Sequence, residues 1–373
     1  MGEYRPERAA VDIEGPFVNP KADFAWFTNE ILSPETKKLF PLDLCKTYDG
    51  GYDDGRYFHE LGRSTRHSTG MWPQLSLAIA AYDGKTDDDL IALARKTTKL
   101  NPGGDKLMKY LLKNFDAEVY PITSSYPAVA LIIAKDLGIP FDQVTTNGFQ
   151  PPQKHIHKPD FVDEVKQRSP MRILSQNRKE LGKFLVPYVK TCEALAECYG
   201  MVPKDRIRAE EAIGALLSRH NDLFEDVNDS NLRSTLEYML LTEEGVMGSH
   251  RKVDAMRRVH DDRRLWTYLG DSIVDAMPIE FADYGISINM KDRHALSFSK
   301  LNAATTDVST MIPIFERMLY EDFNPVRLKG ELDFEEIRVF TPHDIQKDIE
   351  KVIQANGEAK EKLKAMYVMP EIK

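Results

Sequence analysis

The chain predicts an α/β protein, a mostly parallel sheet with helices on both faces and long helical insertions. Three observations carry this reading. Short strand patterns at 9–14, 118–123 and 265–269 each run into turn-forming residues, and the first two lead on to helical periodicity. Long helical stretches interrupt that alternation twice, within 26–114 and within 151–245. No period of about 20–50 residues repeats, which excludes a solenoid.

Each element has a local reason. Ala9-Ala10-Val11-Asp12-Ile13-Glu14 reads as a strand stopped by Gly15-Pro16. Phe24, Phe27 and Ile31 give 23–32 helical spacing, and 33–70 reads as irregular, rich in Gly, Asp, Tyr and Arg. Helices follow at 73–82 and 87–98, the second opened by Asp87-Asp88-Asp89 at the positive end of its dipole. Asn101-Pro102-Gly103-Gly104 breaks the chain before a helix at 105–114. Glu118 to Thr123 forms the second strand pattern, with Pro121 its one discordant residue. Ser124, Ser125 and Pro127 start a helix that runs to Leu137 and stops at Gly138-Ile139-Pro140. A loop at 148–160 leads to amphipathic patterns at 177–199 and 204–223, then a helix at 230–241. A helix at 252–261 precedes the third strand, which runs into Gly270-Asp271-Ser272, and an amphipathic helix spans 343–366.

Composition narrows the function. The 373 residues suffice for two to three domains. Lys+Arg 50 against Asp+Glu 59 leaves a net charge of −9, which disfavours binding to nucleic acid or an anionic membrane. Three cysteines (Cys45, Cys192 and Cys198) fit a reducing compartment, not a disulfide framework, and Cys192 and Cys198 read as packed thiols on a helical pattern. The first ten residues lack an apolar signal region, and no apolar run approaches the ~18 residues of a membrane helix. The expectation is a cytoplasmic protein without membrane insertion.

Carboxylates mark the candidate site. Asp12 and Glu14, two apart on a strand, leave the same face at its C-terminal end, where open sheets place ligands. Asp271 and Asp275 follow the third strand in the same way. Oxygen donors without nearby Cys or His favour Mg²⁺, and a carboxylate beside it can attack phosphorus. Each motif alone also reads as a loop cap or a simple turn. Thr123 ends the second strand, where its hydroxyl either holds a phosphate or caps the next helix. Lys252 either supplies positive charge to that phosphate or is a solvated helix lysine among Arg251, Arg257 and Arg258.

Weaker signals point elsewhere. His155 and His157 read as a surface pair in a Pro-rich loop, and 49–55 lacks the acid at the third position and the glycine at the sixth that a calcium loop needs. Gly103-Gly104-Asp105-Lys106 lacks phosphate-loop spacing. Arg56, Arg63, Arg66 and His67 either meet an anionic substrate or form a solvated face.

In this order, Val11-Asp12-Ile13-Glu14-Gly15, Ile122-Thr123-Ser124-Ser125-Tyr126, Lys252 and Leu269-Gly270-Asp271-Ser272-Ile273-Val274-Asp275 resemble the four motifs of the haloacid-dehalogenase-like (HAD) superfamily. Asp-x-Glu-Gly-Pro further resembles archaeal predicted phosphatases, a subgroup that includes subunit R of energy-converting hydrogenase A. The resemblance implies a Rossmann-like core from 1–25, 115–150 and 246–330. It also implies a helical cap at 26–114, a second helical insertion at 151–245 and a C-terminal helical extension at 331–373. It implies a Mg²⁺-dependent phosphatase acting on a small phosphomonoester. Asp12 would be the nucleophile, Glu14 the acid and base, and Thr123 and Lys252 the phosphate holders. Mg²⁺ would sit on Asp12, the Glu14 backbone carbonyl, Asp271 and Asp275. Glu14 stands where the family carries Asp. That extra methylene also fits a weak or inactive scaffold in a larger complex, with the C-terminal helix as its docking face for a protein partner.

Overall fold

The computed structural model describes residues 6–18, 30–40, 72–115, 118–146, 166, 169–201, 206–241, 248–259, 265–321, 323–333 and 336–367. Most of the 23–32 helix lies outside them. So do the 49–55 loop, Cys45, Arg56, Arg63, Arg66, His67, His155 and His157.

A six-stranded sheet organises the chain. Its strands are β1 (Arg8–Val11), β2 (Val119–Pro121), β3 (Trp266–Gly270), β4 (Tyr284–Ile288), β5 (Leu301–Thr305) and β6 (Ile337–Phe340), in the order β2-β1-β3-β4-β5-β6. The first five run parallel, and β6 pairs antiparallel to β5. This is the Rossmann-like α/β architecture. Pro121 is tolerated because Ile122 N–H donates to Val11 O, which turns the missing N–H of Pro121 away from β1.

Alternation along the strands builds two cores. Ala9, Val11, Leu269, Ile286 and Ala303 face one side, with Val129, Ile133, Phe315 and the long helices. Ala10, Trp266, Tyr268 and Ala304 face the other, with Met256, Ile279, Leu296 and Val352.

Several expectations are corrected. The first strand stops at Val11, not Glu14: Asp12 N–H still donates to Leu269 O, and then Ile13 to Pro16 turn back, with Phe17 N–H on Ile13 O. The stretch read as irregular contains a helix, α1 (Pro34–Leu39), capped by Ser33. The single helix expected at 343–366 is two, broken where Asp348 leaves helical geometry at ψ 74° and caps the second through Lys351 N–H. Strands β4, β5 and β6 were not foreseen, and β6 draws part of the 331–373 segment into the sheet.

The remaining helices follow their local signals. α2 (Trp72–Tyr82) precedes α3 (Asp87–Thr97), where Thr86 and Asp89 exchange hydrogen bonds in a capping box. α4 (Gly104–Asn114) and α5 (Pro127–Leu137) complete the first half. α6 (Met171–Gln176), α7 (Arg178–Met201), α8 (Arg206–Glu225) and α9 (Ser230–Leu241) pack together, and α2 joins them. By contrast, α3 and α4 pack on α5 beside the sheet, so the 26–114 segment contributes to both layers.

Candidate functional site

Four carboxyl-bearing residues were expected at the strand tips, and the structure brings three of them together. Asp12 follows β1, while Asp271 and Asp275 follow the adjacent β3, so parallel pairing sets their backbones side by side. One carboxylate oxygen from each lies within 4.8 Å of the others. Two glycines allow the closeness. Gly15 has φ +80°, and a Cβ there would fall 2.1 Å from Asp271 Cγ. A Cβ on Gly270 would fall 2.5 Å from Asp275 Cβ. Only hydrogen fits at either place.

Lys252 sits between the acids. It lies on α10 (Ser249–Val259), wholly buried, and its Nζ donates to Asp12 Oδ2 at 2.8 Å and Asp275 Oδ1 at 2.7 Å. Asp275 is held from every side. Its Oδ1 also accepts from Tyr268 OH at 2.6 Å, and its Oδ2 accepts from the N–H groups of Asp271 and Ser272. Asp12 is held far less. Its Oδ1 is buried with no hydrogen-bond partner among the described residues.

The electrostatics follow from those partners. Burial raises Asp12 well above the usual carboxylate range, and repulsion from Asp275 and Asp271 adds to it against the pull of Lys252. Burial pushes Asp275 up too, but Lys252, Tyr268 and Ser272 outweigh it and hold the group below its ordinary value. Asp271 is raised by burial against the attraction of Lys360. Lys252 is raised despite burial, because Asp12 and Asp275 keep its charge. Three acids thus share two ammonium groups.

The other two expected residues follow the ends of the paired strands β1 and β2. Glu14 is half-buried in the turn after Asp12, paired by a bridge to Val18, and its carboxylate is not among the three that converge. Thr123 is buried just past β2, and its hydroxyl oxygen accepts Ser125 N–H at 3.2 Å in a local turn, whereas α5 has Tyr126 at its N-cap and no side-chain cap bond.

Three contributors escaped the sequence reading. Tyr268 looked like an ordinary strand aromatic. Asn101, in the break before α4, donates through Nδ2 to the carbonyls of Gly15, Pro16 and Val18, which fixes the turn after Asp12. Lys360 lies on the last helix, α16 (Ile349–Ala365), and its Nζ reaches Asp271 Oδ2 at 2.8 Å. A lysine and an asparagine four apart beside an apolar stripe were the signal for that last contact.

A divalent cation fits this donor set. All three convergent groups are oxygen donors, and Asp12 Oδ1 has no partner among the described residues in a buried place where that is costly.

No protein-family model matches the chain, and no curated protein matches it either. Among solved structures, gene product AF1437 from Archaeoglobus fulgidus is similar in fold, with a TM-score of 0.62 and 15% sequence identity over 96% of this chain and 97% of that one. That likeness concerns the α/β fold alone. No helix among the described residues is long and apolar enough to cross a membrane.

Proposed function

We propose that the chain is a HAD-type phosphatase that hydrolyses a small phosphomonoester with Mg²⁺ as its cofactor. The observation that carries this reading is Asp12, a buried carboxylate at the tip of a central strand. One of its oxygens is fixed by Lys252, and the other has no partner among the described residues.

Asp12 attacks phosphorus while the ester oxygen departs with a proton from Glu14. The aspartyl-phosphate is then hydrolysed by a water that Glu14 deprotonates, which returns Asp12 and releases phosphate. Lys252 fixes the rotation of the Asp12 carboxylate and compensates its charge. Asp12, Asp271 and Asp275 would hold the cation, with Asp275 positioned by Tyr268 and Ser272. The bound ion would supply charge neutralisation for the phosphoryl oxygens. Thr123 keeps its hydroxyl proton free to donate to a phosphoryl oxygen while its oxygen accepts from Ser125.

A panel of phosphate esters assayed with and without Mg²⁺ tests the proposal: Mg²⁺-dependent phosphate release supports it, and no release from any ester refutes it. The scaffold reading has one observation in its favour, since Lys360 covers Asp271. The apolar side of α16, however, is already used against the sheet through Val352, Ala355 and Ala359, so a partner would meet its charged side.

A further inference from the structure

The two lysines of the site differ in kind. Lys252 is wholly buried and bonded to two acids. Lys360 comes from a distant part of the chain and, among the described residues, bonds Asp271, through Oδ2 at 2.8 Å and the backbone carbonyl at 3.2 Å. Its side chain is 19% exposed and that of Asp271 is 12% exposed. Lys360 therefore lies at the rim, with solvent beside it.

This contact is set by the register of α16. Asn356, fully buried one turn earlier, donates through Nδ2 to Met290 O at 2.6 Å and Asn302 Oδ1 at 3.0 Å. Asn302 is itself bonded to Ser287 on the neighbouring strand. A spacing of four residues puts Asn356 and Lys360 on one face of the helix. The polar anchor therefore delivers the ammonium to Asp271.

We propose that Lys360 is the resident counter-charge of the cation site. It neutralises Asp271 while no divalent ion is bound, and it gives way when one binds. This inference rests on the reading of Asp12, Asp271 and Asp275 as a cation site. A carboxylate bonded to an ammonium donates less to a metal, and a +2 ion placed near that ammonium is repelled by it. The long, flexible lysine stem lets the head swing to solvent, whereas Lys252 is enclosed. Binding and the docking of α16 are then reciprocally linked, each weakening the other.

Titration of Mg²⁺ alone into the wild-type protein, Lys360→Met and Asp271→Asn, followed by calorimetry, tests this. Lys360→Met should bind Mg²⁺ about tenfold more tightly or better, and Asp271→Asn should lose binding. Binding by wild type that is unchanged or weakened in Lys360→Met overturns the role of Lys360 and leaves the cation site standing. Absence of binding in wild type and Lys360→Met alike refutes the cation site itself, and this inference with it. If Lys360→Met does not fold, amide exchange in wild-type 357–365 decides: faster exchange with Mg²⁺ supports displacement, and unchanged or slower exchange refutes it.

Discussion

Two charged clusters, similar in chemistry, occupy opposite environments. On the surface, Arg317 and Arg327 alternate with Glu321 and Glu331 between α13 (Ile312–Tyr320) and α14 (Pro325–Leu332). Two cations meet two anions there, and the side chains are 34–56% exposed. At the strand tips, Asp12, Asp271 and Asp275 meet Lys252 and Lys360 with little or no water and one acid too many. Solvated pairs contribute little to stability because water competes for each partner. Buried pairs are costly to assemble and more costly to break. The surface lattice is thus replaceable, and the strand-tip cluster is not.

The sharpest break in that comparison is Asp12→Asn. It should lower Mg²⁺-dependent phosphate release by roughly 10⁴-fold, the scale of losing a nucleophile, with the circular dichroism spectrum retained. Wild-type turnover in the variant would exclude Asp12 as nucleophile.

Lys252→Met should come next, costing roughly 3–5 kcal/mol in urea unfolding by leaving buried acids uncompensated. A loss under about 1 kcal/mol would mean that the cluster is not dry.

Tyr268→Phe removes one bond to Asp275 and should cost about 1–2 kcal/mol in the same measurement. If the variant unfolds like wild type, the Tyr268 hydroxyl does not help to hold Asp275.

Between the two environments lies Asp344, a quarter exposed. Burial opposes its ionisation, but Lys329 Nζ at 2.6 Å and the N–H and hydroxyl of Thr341 outweigh it and hold the group at about 2. The folded value lies below the unfolded ~3.9. The stabilisation is therefore present above pH ~4 and is lost as pH falls through 2. Asp344→Asn should cost about 1 kcal/mol near neutral pH after screening. Its Tm deficit should shrink as pH approaches 2, and a deficit that does not vary with pH refutes the assignment.

The smallest effect belongs to the surface: Arg327→Ala should stay within about 0.5 kcal/mol of wild type. A larger loss would show the lattice acting cooperatively.

Half of the sheet and most of the site were legible in the sequence, for definite reasons. Val11 and Leu269 lie in apolar runs that end in Asp, so strand, tip and carboxylate are announced together. The missed strands β4 and β5 carry Gly285, Ser287 and Asn302, which read as turn chemistry. They become strands because the long-range bonds of Ser287 to Ser299 and Asn302, and of Asn302 to Asn356, satisfy those polar groups inside. Spacing cannot reveal a partner 54 residues away. Lys252 left two readings open for the same reason. Its burial depends on Asp12, 240 residues distant, and no local pattern records that. The two-residue rule for Asp12 and Glu14 named the right neighbourhood through the wrong geometry, since the strand had already ended.

That same separation governs how the chain comes together on the ribosome. β1 emerges first, yet it takes an inner place in the sheet, flanked by β2 on one side and β3 on the other. At 5–20 residues per second, roughly 12–50 seconds pass between the synthesis of Asp12 and of Lys252. Through that interval the opening strand has no β3 to pair with, and Asp12 has no ammonium. The pairing of β1 with β3 and the bond of Lys252 to Asp12 therefore join parts of the chain made at widely separate times.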